Sequence, residues 1–448
     1  MRAFFVTACS ITVVFGMSGA VAASAQELPA GILRMADGKY YQPSTGIMTA
    51  DGSVFGIVAV TSSPALATTT TLPIVPPDLP ATSTLPTSVT STQPMPSALS
   101  LAITRAQDEL QKTIDADGAG KLRTEKVEPV WRHVTLAIWN PKTDAVRYVK
   151  ADKNGKELRG DDPALDAIDV TVANGINSTY VVHGAAGELV VAVRYQISTD
   201  RSITKKKKVY DTREVVYTPY SPALATPEII AAGKKWLDDR IAAVYATLRT
   251  SQVKSRALPD KLVSDVLDPS LVKSIIFIEH MDVSTLKMNT AQLNPLYVTL
   301  ATNTEKAFAY SRSPVGAMGL VQFMPKTYAA VAKWKGYGLN ANFEDGMGNA
   351  TNAITAEVAY LDYLMACLPE DVVAQYATDP TLVHEVVAAA YNGGATRAVK
   401  AMAAWDANTD PKQRLSVKTR SRLKLETMNY VLKLRQVMQT LFPPTQVS

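Results

Sequence analysis

Residues 62–97 constrain the fold of this chain most, because they cannot take part in a compact core. The segment consists mainly of Ser, Thr, Pro and Ala, with eight prolines and a single charged residue, Asp78. Proline removes a backbone donor and favours extended conformations, so such a stretch forms neither helices nor sheets. We therefore predict a disordered Pro/Thr-rich linker at residues 62–97, with separate structure on either side of it.

The remaining composition is that of a chain that folds. Apolar residues make up 47% of the 448 residues and charged residues 19%, and the mean hydropathy is +0.01. These values argue against wholesale disorder and against a polytopic membrane protein. The net charge of +5 is too small for a nucleic-acid-binding surface, so no nucleic acid partner is expected. Two cysteines, Cys9 and Cys367, cannot supply a disulfide framework or a cysteine-rich zinc site.

Residues 1–25 have the pattern of a secretory signal peptide. Arg2 is followed by a short apolar run centred on residues 11–17, and the run ends in the small residues Ala-Ser-Ala at 23–25. We expect cleavage after residue 25 and therefore an exported protein, in the periplasm or cell envelope. The alternative is an uncleaved membrane anchor, which the Thr, Ser and Gly residues within the run disfavour.

Three further segments have distinct patterns, and together they predict a multidomain α+β protein. Residues 26–61 contain short strand-like runs separated by Asp-Gly turns, which indicate a small N-terminal β element. Residues 98–222 begin with a helix over 98–115 and continue with alternating or apolar strand-like runs, which predict a β-rich accessory domain. Residues 223–448 carry helix caps and apolar stripes at helical spacing, which predict a helical domain.

The sequence lacks the motifs of cofactor and metal sites. Its four histidines are scattered, with no His-Glu-x-x-His pair. It has no Gly-x-Ser-x-Gly nucleophile elbow, no Gly-Lys-Ser/Thr phosphate loop and no complete Gly-x-Gly-x-x-Gly motif. We therefore expect neither a cofactor nor a metal ion, and look for chemistry among ordinary side chains.

Glu279 is the first candidate for such chemistry. It follows the strongly apolar residues 275–278, at the end of a helix predicted to begin after Asp268. A carboxylate held among apolar side chains loses solvation, which raises its pKa and keeps it protonated near neutral pH. A protonated carboxyl group in a cleft can donate its proton to a leaving oxygen. Taken alone, Glu279 has the alternative of being a solvent-facing acid on an amphipathic helix.

Two downstream segments add groups that suit a sugar ligand. Residues 313–327 combine glycines, which permit close backbone approach, with Gln322, whose amide both donates and accepts hydrogen bonds. Tyr391 and Asn392 lie at a predicted helix end, just before two glycines. Amides match the N-acetyl groups of acetamido sugars and aromatic rings stack on sugar faces, so these segments indicate a site for such a sugar.

Together these segments resemble the soluble lytic transglycosylase (SLT) domain family, which is related to goose-type lysozyme. The family's apolar helix ending in a glutamate corresponds to residues 269–279, and its Ser-x-x-Gly-Ala-x-Gly-Leu-Met-Gln-x-Met-Pro-x-Thr motif is similar to residues 313–327. Its Ala-Tyr-Asn-Ala-Gly and Glu-Thr-x-x-Tyr-Val motifs resemble residues 390–394 and 426–431. The four motifs occur in the family's order, and the resemblance covers residues 255–440.

The resemblance implies an all-α lysozyme-like domain that acts on peptidoglycan. It implies cleavage of the β-1,4 bond between N-acetylmuramic acid (MurNAc) and N-acetylglucosamine (GlcNAc) with formation of 1,6-anhydro-MurNAc, and Glu279 as general acid and then base. Peptidoglycan glycan strands are the expected partner, and the accessory domain is a candidate for binding an envelope protein complex. The expected substrate-binding residues are Ser313, Gln322, Tyr391, Asn392 and Tyr430.

Position 280 departs from the family pattern, because His280 stands where the family usually has serine. The histidine is a candidate for tuning the site, by taking over the serine's hydrogen bond or by altering the optimum pH. Two alternative functions stay open. A hydrolytic muramidase would need a second carboxylate, for which Asp282, Glu305, Glu344 and Asp345 are available. A non-catalytic peptidoglycan-binding or envelope-scaffold protein would bind sugar without cutting it.

Overall fold

The structure is a computed structural model that describes residues 33–34, 40–42, 47–49, 97–183, 187–200, 209–281, 290–403 and 423–442. The predicted signal peptide lies outside the described residues, and so does all of the predicted linker except Ser97. The chain divides into two compact units, residues 1–90 and residues 91–448.

The first unit contains a small antiparallel sheet. Its three strands are β1 (Leu33–Arg34), β2 (Tyr40–Gln42) and β3 (Ile47–Thr49), and each pairs with the next along the chain. These strands fall within residues 26–61, where the sequence predicts a small β element.

The second unit begins with one helix and a six-stranded antiparallel sheet. The strands are ordered β4-β11-β10-β5-β6-β7, and a separate hairpin is formed by β8 and β9. A β-sheet domain in the N-terminal part of the chain is thereby confirmed. The elements are α1 (Ala98–Asp117), β4 (Arg123–Glu125), β5 (Arg132–Trp139), β6 (Val146–Asn154), β7 (Glu157–Arg159), β8 (Ile168–Val172), β9 (Thr179–Val182), β10 (Leu189–Asp200) and β11 (Tyr210–Tyr217).

Both faces of this sheet are covered. Successive side chains on β5 and β10 point to opposite faces, so each face carries apolar residues that need a packing partner. Helix α1 packs on one face, where its apolar stripe meets Trp139 and Val191. The β8–β9 hairpin covers the other face, where Val170 and Tyr180 join Leu136 in a second apolar cluster.

The described residues after β11 in the second unit are mainly helical. Its helices are α2 (Pro227–Thr250), α3 (Val263–Val266), α4 (Pro269–Glu279), α5 (Asn294–Asn303), α6 (Pro325–Val331), α7 (Phe343–Met347), α8 (Ala350–Ala366), α9 (Glu370–Ala374), α10 (Pro380–Gly393), α11 (Ala395–Ala403) and α12 (Leu425–Leu441). The predicted start of α2 is confirmed by Thr226, whose hydroxyl accepts a hydrogen bond from the Ile229 N–H.

Helix α4 lies at the centre of the helical core and determines where the site forms. Asp268 caps its start by accepting a hydrogen bond from the Ser270 N–H, and every residue from Leu271 to Ile278 is buried. Helices α2, α8 and α12 all pack against α4. The C-terminal end of α4 therefore meets α12, which also packs against α10.

None of the helices in the described part of the chain combines the length and the apolar character that a bilayer-spanning segment needs.

Candidate functional site

Glu279 is the last residue of α4 and directly follows the buried residues Leu271 to Ile278. The preceding residues Phe277 and Ile278 are at most 2% exposed, whereas Glu279 is partly exposed. Because the buried helix fixes its backbone, the carboxyl group is presented at a set position beside α12. The Glu279 side chain therefore lies at the edge of the apolar core.

Burial and the neighbouring side chains together set the pKa of Glu279 near neutral pH. Burial raises the pKa of Glu279 to about 7, while a hydrogen bond from Tyr430 and the positive charge of Lys433 lower that pKa, and the charge of Glu426 raises it. The Tyr430 hydroxyl donates to Glu279 Oε1 over 2.6 Å. A carboxyl group with this pKa can give up a proton and take one back at neutral pH.

Lys433 adds a second link between α12 and the end of α4. Its ammonium group donates to the Met281 carbonyl oxygen over 2.7 Å. Tyr430 and Lys433 are one turn apart on α12, so they lie on the same face of that helix. Together they connect α12 to the Glu279 side chain and to the backbone two residues after it.

Tyr391, near the end of α10, connects Tyr430 with the glycine-containing loop. Its ring stacks on the Tyr430 ring, with centroids 6.4 Å apart and planes at 20°, and its hydroxyl donates to the Val321 carbonyl oxygen over 2.7 Å. Tyr360 of α8 also packs against the Tyr391 ring, with ring centroids 5.6 Å apart and planes at 60°. Burial raises the pKa of both Tyr391 and Tyr430, so both phenols remain neutral donors.

Asn392 lies next to this aromatic stack and is oriented by α12. Its side-chain oxygen accepts a hydrogen bond from the Thr427 hydroxyl over 2.9 Å. Thr427 is three residues before Tyr430, on the same helix. The Asn392 amide group is therefore held beside the residues that contact Glu279.

The loop over residues 311–324 is a tight turn that only a glycine-containing sequence can form. Met318 pairs with both Arg312 and Phe323, and Gly319 has a φ of +80°. A Cβ atom at Gly319 would lie 2.4 Å from the Met347 carbonyl oxygen, so α7 comes too close for any larger residue. The backbone of the loop therefore packs directly against the end of α7 at this position.

Gln322 is strained within this loop and its side chain folds back on it. The residue has a φ of +46°, which is uncommon for a non-glycine residue. Its Nε2 atom donates to the Gly319 carbonyl oxygen over 2.8 Å. Gln322 therefore follows Val321, the residue that contacts Tyr391, but its side-chain N–H group is used in a hydrogen bond within the loop.

Ser313 also serves the loop in this structure. Its hydroxyl accepts a hydrogen bond from the Ala317 N–H over 3.0 Å, and its backbone N–H donates to the Ala317 carbonyl oxygen. Among the described residues, the hydrogen bonds of Ser313 are made within the loop and do not reach Glu279. A substrate-binding role for Ser313 stays a prediction.

His280 fixes the same loop to the end of α4. Its Nε2 atom lies 2.8 Å from the Leu320 carbonyl oxygen, so that ring nitrogen carries the proton and donates it. The ring stacks on Phe308, with centroids 3.7 Å apart. Burial lowers the pKa of His280 to about 4, while the bond to Leu320 raises it. The histidine therefore makes a hydrogen bond and is neutral at the pH where Glu279 titrates.

Glu357, on α8, is a second acidic residue near the site that the sequence interpretation missed. It is fully buried, and neither carboxyl oxygen has a hydrogen-bond partner among the described residues. Burial, and then the negative charge of Glu279, raise the pKa of Glu357 well above its usual range. The signal was present in the sequence, because Glu357 stands within the apolar run of residues 353–361 just as Glu279 follows one.

Two of the acids named for a hydrolytic mechanism pair with arginines in the described part of the chain. Glu305 pairs with Arg240 over 2.6 Å, and Glu344 pairs with Arg312. Asp282 lies outside the described residues. Within the described ranges, no group of three or more His, Cys, Asp or Glu side chains is arranged to hold a metal ion.

Comparison with known families agrees with the motif pattern. Residues 287–413 match the family model of the transglycosylase SLT domain. The expected SLT resemblance in the C-terminal half of the chain is thus confirmed. The matched range includes Ser313, Gln322, Tyr391 and Asn392, and it begins after Glu279 and ends before Tyr430. A search of curated proteins found no match.

Proposed function

We propose that this protein is a peptidoglycan lytic transglycosylase that cleaves the MurNAc-β-1,4-GlcNAc bond. The SLT match at residues 287–413 supports peptidoglycan as the substrate class. The observation that carries the reaction is the environment of Glu279, a partly exposed carboxyl group with a pKa of about 7 and a 2.6 Å hydrogen bond from Tyr430. The predicted leader would place this activity in the periplasm or cell envelope.

One carboxyl group is enough for this reaction. Protonated Glu279 gives its proton to the glycosidic oxygen as the bond from that oxygen to C1 of MurNAc breaks. The substrate's own N-acetyl oxygen stabilises the positive charge at C1, as in other substrate-assisted glycosidases. Ionised Glu279 then takes the proton from the C6 hydroxyl, whose oxygen bonds to C1 and closes the 1,6-anhydro ring. No water is consumed, and Glu279 ends protonated.

The neighbouring residues would serve the two states of Glu279. The Tyr430 hydroxyl stabilises the ionised carboxylate, because a hydrogen bond to a charged acceptor is stronger than one to a neutral acceptor. Asn392 and the aromatic face of Tyr391 would position the acetamido sugar. Gln322 would contribute its remaining side-chain oxygen or the backbone of its strained loop.

A hydrolytic muramidase is the second candidate, and one observation favours it. Glu426, exposed in the first turn of α12, is near enough for its charge to raise the pKa of Glu279. A second carboxylate within about 5–9 Å could activate water or trap the sugar. A non-catalytic wall-binding protein is the remaining alternative.

Mass spectrometry of the products released from purified sacculi tests the proposal. We expect 1,6-anhydro-MurNAc ends from the native protein, and a rate lower by about 10²–10⁴-fold for Glu279→Gln. Glu370→Gln, which alters an exposed acid on α9, is the matched control and should retain full activity.

Other outcomes would identify the alternatives. Reducing ends that disappear with Glu426→Gln would make the protein a muramidase. Sacculus binding without any product, in both the native protein and Glu279→Gln, would make it a binding protein.

A further inference from the structure

Two positively charged side chains face each other in the sheet, far along the chain from Glu279. Arg132 of β5 and Lys153 of β6 are direct partners in the antiparallel register. Directly opposed residues extend their side chains from the same face, and like charges in this arrangement destabilise a sheet. A nearby negative charge would therefore stabilise the sheet at this pair.

Lys153 is the more unusual of the two, because it is only 2% exposed. Its ammonium group donates to the Gly155 carbonyl oxygen over 2.6 Å, and the described residues provide it with no carboxylate within ion-pair distance. Burial lowers the pKa of Lys153 accordingly. Buried lysines are almost always paired with an acid. The ammonium group has three donors, so Lys153 retains donors for another acceptor besides the Gly155 carbonyl oxygen.

Arg132 also retains an unused donor. Its Nη2 atom pairs with Glu128 over 2.6 Å, but its Nη1 atom is buried and has no hydrogen-bond partner among the described residues. Among the described residues, Glu128 is thus the acid that pairs with these cations, and its side chain is 54% exposed. The pair keeps a net positive charge.

Both cations line one cavity of about 460 Å³ at the edge of the sheet face covered by the β8–β9 hairpin. Tyr195 and Asn154 also line the cavity, as does Val130, which is 67% exposed. The volume exceeds that of a single carboxylate, so it also has room for a short adjoining chain. An arginine fork and a lysine ammonium are the groups that bind carboxylates in proteins.

We propose that this cavity binds the free carboxylate of a peptide, with Arg132 and Lys153 as its ligands. Peptidoglycan carries peptide stems with free carboxylates, so the accessory sheet would bind the peptide part of the polymer whose glycan part is cleaved at Glu279. The identity of the polymer rests on the proposed function, whereas the carboxylate chemistry rests on the cavity alone. The apolar surface of Val130 would contact the aliphatic side chain beside the carboxylate.

Calorimetry on the full chain tests the assignment, with N-acetyl-alanyl-alanine and its C-terminal amide as probes. We expect the acid to bind, and we expect the amide to bind at least about tenfold more weakly, because a charge-assisted hydrogen bond is lost. Lys153→Met should weaken the acid to the same extent. Lys150→Met is the matched control, since Lys150 lies on the same strand but is exposed and three residues away. Arg132→Gln provides the same comparison if Lys153→Met fails to fold.

Equal binding of acid and amide, unchanged binding by Lys153→Met, or no binding of the acid would each overturn the assignment. Inorganic phosphate that binds as tightly as the peptide at the same residues would also overturn it. Cleavage of peptide-free glycan strands, measured on the same samples, reports on Glu279 separately. Binding without cleavage removes only the enzymatic proposal, and cleavage without binding removes only this one.

Discussion

The protonation of Glu279 reflects a balance among a few side chains around it. Burial favours the neutral acid, whereas Tyr430 and Lys433 favour the carboxylate. The two effects oppose each other, and the resulting pKa of about 7 is suited to a group that must act first as an acid and then as a base. The contributions of Tyr430 and Lys433 can each be removed by a single substitution.

Tyr430→Phe removes the hydrogen bond to Glu279 and should raise its pKa above 7. A hydrogen bond to a charged acceptor contributes about 1.5–3 kcal/mol, which corresponds to a shift of about one pH unit or more. Since the protonated form starts the reaction, the alkaline limb of the kcat/KM profile should move to higher pH. Tyr391→Phe is the control, because that hydroxyl bonds to Val321 and its removal should leave the limb in place. A limb that stays in place for Tyr430→Phe would contradict this account.

Glu357→Gln should stabilise the protein increasingly as the pH rises. The native state keeps a proton on Glu357 above the ordinary glutamate value of 4.5, whereas the unfolded chain loses it. Because the native state then binds more protons, the free energy of unfolding falls as the pH increases, and glutamine removes this dependence. Melting temperatures at pH 4 and pH 8 would measure it, with Glu370→Gln as the control. A difference in Tm that is the same at both pH values would rule out a buried proton on Glu357.

Sequence patterns predicted some of these residues better than others. Glu279 was singled out because it ends an apolar helix segment and because this segment and the downstream motifs together resemble the SLT domain family. Glu357 was missed because its proximity to Glu279 depends on the packing of α8 against α4, which no local pattern encodes. The amide of Gln322 was expected to face substrate, and its bond to Gly319 depends on a backbone conformation that sequence alone does not reveal.

Among the elements, the 311–324 loop has the most demanding conformation. Gly316 and Gly319 both have positive φ angles, of +90° and +80°. A side chain at Gly316 would meet no atom within 4 Å, whereas one at Gly319 would meet the Met347 carbonyl oxygen at 2.4 Å. Comparing substitutions at the two glycines therefore distinguishes the free-energy cost of the backbone conformation from that of the steric clash.

Gly319→Ala should lower both the melting temperature and kcat, and Gly316→Ala should affect them much less. Both substitutions incur about 1–2 kcal/mol for a left-handed alanine. Only Gly319→Ala must also displace α7 or the loop, and displacement of the loop would move Val321 away from Tyr391. Thermal unfolding and initial rates on sacculi would compare the two variants. Equal effects would mean that the contact with Met347 is unimportant.

Element boundaries followed sequence signals where a cap was present. The starts of α2 and α4 were marked by Thr226-Pro227 and Asp268-Pro269, and the structure places both helices there. The segment between Glu279 and Ser313 carried no recognised motif. Its helix α5 packs mainly against α2, a contact between residues distant in sequence that periodicity does not predict.

At the scale of the whole molecule, the sheet and the helices of the second unit share a core. Val298 of α5 lies in the same apolar cluster as Leu99 of α1 and Val191 of β10. Tyr310 packs against Tyr217 of β11, with ring centroids 6.0 Å apart. The sequence marked the change from strands to helices near residue 222, but it contained no signal for the apolar faces that meet across that change.

Asn303→Ala should destabilise the sheet and the helices together. The Asn303 side chain accepts from the Thr218 N–H over 2.8 Å and donates to the Thr218 carbonyl oxygen over 2.9 Å, and both residues are buried. The substitution leaves two backbone groups unpaired, at a cost of about 3 kcal/mol. Circular dichroism should show one transition at a lower temperature, while Thr355→Ala, which loses a bond only within α8, should change little. Two separate transitions in the native protein would contradict a shared core.

The attachment of Ser97 has a mechanical consequence. Its N–H donates to Glu228 Oε1 over 2.9 Å, and the Ser100 hydroxyl donates to the same oxygen over 3.1 Å. Ser97 caps α1, which is packed on the sheet, and Glu228 lies in the first turn of α2, which is packed on α5. Tension arriving along the predicted linker would therefore be divided between the sheet and the helices at the point of entry.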